Sequence, residues 1–318
     1  MNSQITFHDY KPQELSLYDA VVKGFSKSNK SIPPKFFYDK RGSHLFDKIC
    51  DQPEYYLPNV EHELLLKCRE TLANHVGNGR VVIEPGAGNL SKIRLLLNNI
   101  KPSAYVPMDI SEEYLREASE NLANEYPWLN IHATCVDFTH SMPLPNILGN
   151  SPRLVFFPGS SLGNFNKSDA LAFLSMVRQT LEDDGMLLIG VDTKKQNKIL
   201  NAAYNDEAGV TAEFNLNLLH RIQNELNAEI EMDNFDHHAF YNNTEGRVEM
   251  HLVSSCDHKL RINEHDFHFK VGESVHTENS YKYLPDEFLS LAESANLAPV
   301  EYWLADEGLF ALYLLKSI

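Results

Sequence analysis

The fold is decided by one stretch, Val81-Val82-Ile83-Glu84-Pro85-Gly86-Ala87-Gly88-Asn89-Leu90-Ser91-Lys92-Ile93-Arg94. An apolar, β-branched run meets two glycines, and the residues after them predict a helix over Leu90–Leu97. A buried strand, a tight turn and a helix N-terminus are the parts from which a doubly wound α/β sheet builds a cofactor site. Gly86 and Gly88 allow positive φ angles and let a ligand lie against bare backbone. The N–H groups that open the helix favour an electronegative partner.

Two acidic residues near this turn indicate the kind of ligand. The pattern Glu84-x-Gly86-x-Gly88 lacks the third glycine of a dinucleotide fingerprint, and a carboxylate there would repel a pyrophosphate but suit positive charge. Asp109 follows Gly86 by 23 residues, where the second strand should end and a carboxylate can hold both ribose hydroxyls. A ligand with a ribose, a cationic centre and no phosphate is S-adenosylmethionine (SAM). Because a glycine turn also occurs in ordinary strand-to-helix connections, the prediction depends on both acids.

Two later segments follow predicted strands and are further candidates for the site. Asp137 and Phe138 can meet the amino edge of an adenine and flank its ring, although a helix cap and a core phenylalanine fit the spacing equally well. The loop Gly159-Ser160-Ser161-Leu162-Gly163-Asn164 should face the transferred group, since ligands of open α/β sheets bind outside the carboxyl ends of the strands. Its last two residues are also a common turn pair.

Composition limits the classes of function. The chain has 318 residues and a formal net charge of −16, without a basic run, which argues against nucleic acid as a partner. Four cysteines without a C-x-x-C spacing predict reduced thiols and a cytoplasmic protein. The first residues lack the features of a signal peptide, and no apolar run reaches the ~18 residues that a membrane span needs. We expect a monomer that acts on a small molecule, without membrane partners.

The alternation of elements predicts an α/β fold with a doubly wound, Rossmann-like sheet that is packed on both faces. Besides the opening stretch, the predicted strands and helices are 60–75 (helix), Tyr105–Asp109 (strand), Glu112–Tyr126 (helix), Asn130–Val136 (strand), Arg153–Phe157 (strand), Lys167–Leu181 (helix) and Met186–Val191 (strand). A closing helix over Pro285–Ala295 precedes an antiparallel pair, Pro299–Leu304 and Gly308–Leu315.

The alternation breaks between Thr193 and about Lys282, which indicates an α+β insertion. Its predicted elements are the helices Asn197–Tyr204 and Ala212–Leu226 and the strands Phe235–Tyr241, Arg247–Ser254 and Phe267–Val271. We therefore expect a SAM-binding domain made of residues 60–194 and 283–318. A discontinuous substrate-binding domain, residues 1–59 and 195–282, should cap the open edge of its sheet.

Six motifs appear in an order that resembles one family across nearly the whole chain. They are Pro34-Lys35-Phe36-Phe37-Tyr38-Asp39, Pro53-Glu54-Tyr55-Tyr56, Gly159-Ser160-Ser161-Leu162-Gly163-Asn164, Ala203-Tyr204-Asn205-Asp206-Glu207-Ala208-Gly209-Val210-Thr211, Arg247-Val248-Glu249-Met250 and Thr277-Glu278-Asn279-Ser280. Together they resemble the histidine-specific Nα-methyltransferases of ergothioneine biosynthesis. The resemblance implies an enzyme that methylates the α-amino group of L-histidine three times with SAM and gives hercynine, releasing S-adenosylhomocysteine.

The resemblance also implies the site residues. Those that line the cofactor are Tyr55, Gly86, Lys92, Asp109, Asp137 and Phe138, beside Glu84 and Gly88 from the turn. Those that surround the α-amino and carboxylate end of the substrate are Tyr38, Phe46, Tyr55, Gly159, Ser161, Asn164 and Tyr204. Met250, Glu278 and Ser280 meet the imidazole. From spacing alone, the last two residues would instead lie on the exposed face of an edge strand.

For the chemistry, our hypothesis gives catalytic roles to Tyr55, Asn164 and Gly159. Asn164 and Tyr204 hold the carboxylate with help from Tyr38, while Tyr55 and the Gly159 carbonyl orient the amine. Methyl transfer to an amine needs positioning and exclusion of water more than an acid, a base or a metal. We predict no metal site, because His237-His238 after Asp233 and Asp236 is more typical of a solvated strand end than of a ligand set.

Two other functions stay open. The same N-methylation could act on another amino acid such as a tryptophan derivative, against which Met250 and Glu278 argue. The chain could also be a SAM-binding protein without catalysis, in which case Asn164, Tyr38 and Tyr204 would have no reason to converge.

Overall fold

The computed structural model describes residues 5–10, 16–149 and 151–318. Expectations for residues 1–4, 11–15 and 150 lie outside these ranges. The strands are β1 (Ile5–Asp9), β2 (Lys30–Ser31), β3 (Val81–Pro85), β4 (Ala104–Asp109), β5 (Ile131–Cys135), β6 (Arg153–Phe157), β7 (Met186–Asp192), β8 (Phe235–Asn242), β9 (Arg247–Ser254), β10 (His258–Ile262), β11 (His265–Phe269), β12 (Ser274–Tyr281), β13 (Leu297–Leu304) and β14 (Phe310–Ser317). The α-helices are α1 (Leu17–Phe25), α2 (Lys40–Cys50), α3 (Leu57–Val76), α4 (Arg94–Ile100), α5 (Glu112–Glu125), α6 (Lys167–Leu181), α7 (Asn197–Ala203), α8 (Val210–Leu226) and α9 (Pro285–Ser294).

The described residues form two compact units. Unit 1 contains residues 5–10, Leu57–Lys194 and Lys282–Ile318, and unit 2 contains residues 16–56 and Lys195–Tyr281. None of the helices in these described ranges is long and apolar enough to cross a membrane.

Unit 1 is built on a sheet of eight strands among the described residues, in the order β1-β5-β4-β3-β6-β7-β14-β13. The first six run parallel, and β14 and β13 are antiparallel additions at one side. The side chains of Val81, Val82 and Ile83 are at most 2% exposed, as expected for a strand that is covered on both faces. The predicted doubly wound α/β fold is confirmed. Strand order reverses on the two sides of β3, so the carboxyl end of β3 lies at the switch point where such sheets bind ligands.

The first strand of the chain corrects the predicted domain division. The sequence assigns residues 1–59 to the substrate-binding domain, but β1 pairs in parallel with β5, from Ile5 opposite Ile131 to Asp9 opposite Cys135. Phe7 also packs beneath the guanidinium of Arg116, 4.0 Å from its ring centroid. The sequence predicts a short strand in residues 1–30, but two apolar residues in alternation do not indicate which sheet it joins, and the ladder with β5 supplies that information.

The helix after the glycine turn begins later than predicted. Helix α4 starts at Arg94 rather than Leu90 and has seven residues. Three left-handed positions, Gly86 (φ 65°), Gly88 (φ 56°) and Leu90 (φ 57°), prolong the turn, and the fully buried Leu90 side chain anchors it. The backbone directly after β3 is therefore an extended turn rather than the first turn of a helix.

Unit 2 contains, among the described residues, a four-stranded sheet in the order β2-β12-β9-β8 and a two-stranded sheet of β10 and β11. Helix α8 lies against β8 and β9, and its buried Phe214 ring packs on Phe37, with ring centroids 4.6 Å apart. The predicted strand Arg247–Ser254 is confirmed as β9. Spacing alone indicated strand β12 only as an exposed edge, because its polar residues and a register shift between His276 and Glu278 hide the alternation of a buried strand.

Candidate active site

The glycine turn of unit 1 leaves space where a ligand would lie. A Cβ on Gly88 would have no atom of the described residues within 4 Å, whereas one on Gly86 would lie 3.2 Å from Cε1 of Phe138. The backbone N–H of Gly88 donates to Oδ2 of Asp109 at 3.0 Å. The turn and the end of β4 are thus joined directly, as the spacing of these residues predicted.

Asp109 has the geometry of a ribose acceptor. Its Oδ1 accepts the backbone N–H of Ser111 at 3.0 Å, so each carboxylate oxygen already has one N–H donor and a further lone pair. Burial raises the pKa of Asp109 above its ordinary value, while the N–H groups of Ser111 and Gly88 oppose that rise. The contact of Asp109 with a ribose remains a prediction.

The sequence left open whether Asp137 and Phe138 contact the cofactor or serve as a cap and a core residue, and the structure is compatible with both. Oδ1 of Asp137 accepts the backbone N–H of Thr139 at 3.0 Å and its hydroxyl at 2.5 Å, which is a capping role. The ring of Phe138 lies edge-on to Phe157 and Phe173, at centroid distances of 5.9 and 6.2 Å, which is a core role. The same ring covers one side of the turn at Gly86, so packing in the core and lining of the cofactor site are compatible.

Glu84 is almost fully buried at 1% exposure. Its Oε2 accepts the hydroxyl of Tyr105 at 2.5 Å, and burial raises the pKa of Glu84 to about 8 despite that hydrogen bond and the nearby charge of Lys92. A cationic ligand beside Glu84 would favour the ionised form. Because a pKa of about 8 keeps most of this carboxyl protonated at pH 7 in the ligand-free protein, its role as a partner for positive charge remains a prediction.

Glu61 on α3 is a site residue that the sequence analysis missed. Its carboxylate is 1% exposed, forms an ion pair with Nζ of Lys92 at 2.6 Å and accepts the backbone N–H of Gly159 at 2.8 Å. A Cβ on Gly190 would come within 2.6 Å of the same carboxylate. The available signal was an acid at a helical position in line with the buried residues Leu57, Leu64, Leu65 and Cys68.

Buried polar groups hold the loop after β6 in a fixed conformation. Gly159 and Ser160 both have left-handed φ angles, 83° and 62°, and a short 3₁₀ turn, Ser161–Asn164, follows. The hydroxyl of Ser160 accepts the backbone N–H of Asp192 at 2.8 Å. Asp192 forms a fully buried ion pair with Lys282 at 2.7 Å. Left-handed Ser160 is thus held by groups of the sheet, which fixes the path of the loop that carries Asn164.

Unit 2 brings together the predicted aromatic residues of the substrate site. Ring centroids are 6.0 Å apart for Tyr38 and Phe46, 6.4 Å for Phe46 and Tyr55, and 6.0 Å for Tyr55 and Tyr204. The hydroxyl of Tyr204 donates to Oγ of Ser280 at 2.7 Å. The hydroxyl of Tyr204, at one end of this aromatic series, therefore reaches β12.

Met250 and Glu278 lie directly opposite each other in the β9–β12 pair, and opposite residues of an antiparallel pair point to the same face. Glu278 and Ser280 are only 9% and 4% exposed, and both pair with β9. The interpretation of these residues as an exposed edge strand is therefore wrong. The structure groups all three residues that the resemblance assigns to the imidazole.

Tyr55 is unsuited to act as a base at neutral pH. Burial raises the pKa of its hydroxyl well above 10, and the neighbouring Tyr204, Cys50 and Glu278 raise it further. The hydroxyl therefore stays protonated and can orient an amine only as a hydrogen-bonding group.

The exposure predicted for the two histidines of β8 is found for only one of them. His238 is exposed, but His237 is partly buried, with Nδ1 2.9 Å from Nδ2 of Asn215 and Nε2 2.9 Å from the carbonyl oxygen of Tyr204. The prediction of a solvated strand end is wrong for His237 because α8 covers that face of β8.

A different cluster in the described ranges has metal-ligand chemistry: Glu249, His251 and His276, whose ligand atoms all lie within 4.8 Å of one another. The guanidinium of Arg247 is 2.8 Å from the Glu249 carboxylate. Because that cation already balances the only charged ligand, the cluster is a poor site for a metal ion.

The strand order, the glycine turn at the switch point and the acids after the neighbouring strands define a Rossmann-like, class I SAM-dependent methyltransferase. A family model described as "Histidine-specific methyltransferase, SAM-dependent" matches residues 17–317. The chain belongs to this family.

The names of three similar proteins agree with this family. The chain is 35% identical to the histidine N-alpha-methyltransferase of Mycolicibacterium smegmatis, over 92% of each chain, and 34% identical to that of Mycobacterium tuberculosis, over 94% of each. It is also 31% identical to the ergothioneine biosynthesis protein 1 of Neurospora crassa, over 91% of this chain and 34% of that one. Among solved structures, a SAM-dependent methyltransferase from Clostridium acetobutylicum superposes with a TM-score of 0.49 at 14% identity, over 87% of this chain and 98% of that one.

Proposed function

We propose that the protein transfers methyl groups from SAM to the α-amino group of L-histidine in three successive steps, giving hercynine for ergothioneine biosynthesis. The observation that carries the proposal is the buried group of Met250, Glu278, Ser280 and Tyr204 in unit 2, joined by the register of β9 and β12 and by the 2.7 Å hydrogen bond from Tyr204 to Ser280. Membership of the histidine-specific family and the names of the relatives support the same substrate.

Unit 1 supplies the groups that fit the cofactor. SAM, when bound, provides a sulfonium methyl group that an amine can attack. The bare backbone of Gly86 and Gly88 would accommodate it, Asp109 would accept the ribose hydroxyls, and Glu84 would complement positive charge. Asp137, Phe138 and Lys92 complete the proposed lining, with Lys92 oriented by its ion pair with Glu61.

The α-amino and carboxylate end of histidine is assigned to hydrogen-bonding groups and aromatic rings. Asn164 and Tyr204 bind the carboxylate with help from Tyr38. Tyr55 and the carbonyl oxygen of Gly159 orient the amine lone pair towards the methyl group. The remaining lining is Phe46 and Ser161. Because the pKa of Tyr55 is raised, the proton of the substrate ammonium passes to solvent rather than to this hydroxyl.

Glu278 and Ser280 select the imidazole. A carboxylate that faces the ring accepts an imidazole N–H, and the serine hydroxyl offers a second polar partner. A substrate with an apolar ring would cover this buried carboxylate without donating a hydrogen bond to it, which costs roughly 1–3 kcal/mol. A tryptophan derivative is disfavoured because imidazole has two ring nitrogens, one for Glu278 and one for Ser280, whereas the larger indole ring has only one.

Incubation of the purified protein with methyl-labelled SAM and each of the twenty amino acids tests the proposal. Mass spectrometry should show one, two and three methyl groups on histidine alone, all on the α-nitrogen. A tryptophan product would establish the alternative substrate. SAM binding without any product would establish the non-catalytic alternative.

We also propose that the enzyme works in the cytoplasm as a monomer. All proposed contacts come from one chain, and the four cysteines form no disulfide in the described residues. Light scattering after gel filtration should give the mass of a single 36.2 kDa chain, and cell fractionation should place the activity in the cytoplasm.

A further inference from the structure

A buried polar network in unit 2 connects residues that the proposed mechanism does not use. At its centre is Asn215 on α8, whose side chain is fully buried. Its Nδ2 lies 3.0 Å from the carbonyl oxygen of His251 and 2.9 Å from Nδ1 of His237. Its Oδ1 accepts the hydroxyl of the buried Thr277 at 2.8 Å. The network therefore joins α8 to β8, β9 and β12.

The hydrogen bonds fix the state of His237. Because both protons of the Asn215 amide nitrogen point at acceptors, Nδ1 of His237 must be unprotonated. The proton is then on Nε2, which donates to the carbonyl oxygen of Tyr204 at 2.9 Å. Burial lowers the pKa of His237, in agreement with this neutral tautomer. One end of the network thus holds the backbone of Tyr204.

The other end holds an irregularity of β12. His276 pairs with His251 and Glu278 pairs with Met250, so two steps along β12 match one step along β9, and Thr277 is the additional residue. Since side chains alternate between faces, this β-bulge moves Glu278 from the face of His276 to the face of Met250. The hydroxyl of Thr277 also lies 3.0 Å from the carbonyl oxygen of Met250. The single proton of this hydroxyl is shared between these two acceptors, so a side-chain hydrogen bond takes the place of a ladder bond that the bulge interrupts.

We infer that Thr277, Asn215 and His237 are positioning residues for histidine recognition, an inference that rests on the proposed function. Thr277 and Asn215 hold the bulge that directs Glu278 towards the imidazole. His237 holds the backbone of Tyr204, whose hydroxyl reaches Ser280. Substrate selection in this protein then depends on three residues that do not themselves touch the substrate.

Thr277→Val and Thr277→Ser test the role of Thr277 in holding the bulge. The valine variant keeps the shape but removes the hydroxyl, and the serine variant restores it. We expect Thr277→Val to weaken histidine binding about tenfold, the effect of one buried hydrogen bond. It should also lower the preference for histidine over β-(2-thienyl)alanine, which has a similar ring without an N–H. Thr277→Ser should remain near the wild type, and the Kd for SAM should stay within about twofold in both, because SAM is assigned to unit 1.

His237→Gln and His237→Asn test the role of His237 in holding the backbone of Tyr204. Glutamine can place an N–H near the Nε2 position and keep the bond to Tyr204, whereas asparagine can keep an acceptor for Asn215 but does not reach Tyr204. We expect His237→Asn to raise the KM for histidine more than His237→Gln does. The matched control is His238→Gln on the exposed neighbour, which should leave every constant unchanged.

The outcomes separate this inference from the proposed function. A wild-type protein that neither binds nor methylates histidine would reject the function itself. If the wild type is active, equal histidine affinity and ring preference in Thr277→Val would overturn the positioning role. Parallel losses of histidine affinity, SAM affinity and melting temperature in Thr277→Val and Thr277→Ser alike would also overturn it, since they indicate general destabilisation. If Thr277→Val does not fold, the two His237 variants decide alone, and equal KM values for them reject the inference.

Discussion

The carboxylate of Glu61 accepts the backbone N–H of Gly159 at 2.8 Å, although the two residues are 98 positions apart in the chain. Its second oxygen is 2.6 Å from Nζ of Lys92. One buried acid on α3 therefore connects the loop after β6 with the turn after β3. The two segments that we assign to the amine and to the cofactor are held by the same side chain.

Replacement of Glu61 should affect both stability and turnover. Glu61→Ala leaves the Gly159 N–H and the Lys92 ammonium without this partner, so we expect the free energy of unfolding to fall by about 1–3 kcal/mol. Glu61→Gln keeps an acceptor for Gly159 and should lose less stability and less kcat. Denaturant unfolding and steady-state kinetics measure the two effects. Glu63→Ala, an exposed acid on the same helix, is the control. Wild-type stability and kcat in Glu61→Ala would show that the connection is unimportant.

Glu84 should make the stability of the ligand-free protein depend on pH. Its pKa is about 8 in the folded protein, against 4.5 for an unperturbed glutamate, so the folded state retains a proton that the unfolded state releases. The stabilisation is therefore fully present below pH 4.5 and is lost as pH rises towards 8, by at most about 1.4 kcal/mol per pH unit. Glu84→Gln, which cannot ionise, should flatten this dependence. Urea unfolding at intervals across this pH window measures it, and identical slopes for both proteins would contradict the prediction.

Glu278 should matter for histidine and not for SAM. Glu278→Ala removes the acceptor of an imidazole N–H, so we expect the Kd for histidine to rise about 10- to 100-fold and the Kd for SAM to change less than about twofold. Isothermal titration calorimetry with each ligand provides both values. Glu245→Ala, in the exposed turn between β8 and β9, is the matched loss of one acid. Equal losses for the two ligands would remove Glu278 from the substrate site.

The sequence could predict features that depend on one short segment, but not features that depend on residues far apart in the chain. The run Val81–Ile83, the two glycines and Asp109 predicted the sheet, and the crevice in which we place the cofactor, because each signal lies within a short segment. The local pattern of α3 can indicate that Glu61 is buried, but its partner Gly159 is determined only by the packing of α3 on the sheet.

The bulge at Thr277 was missed for a related reason. An additional residue breaks the period of two, and the side chain that anchors it, Asn215, is 62 positions away. The resemblance to a family identified Glu278 and Met250 as a pair. Only the register of β9 and β12 shows why they share a face.

Gly88→Ala should interfere with SAM binding beyond its cost to the backbone. Gly88 and Gly77 both have left-handed φ angles, 56° and 70°, and a Cβ on either would meet no atom of the described residues within 4 Å. Alanine at either position should therefore lower the free energy of unfolding by about 1–2 kcal/mol. Only the Cβ at 88 would occupy the space that we assign to the cofactor. We expect Gly88→Ala to raise the Kd for SAM at least about tenfold, and Gly77→Ala to leave it unchanged while the two melting temperatures fall alike. If both variants bind SAM like the wild type, the turn after β3 does not contact the cofactor.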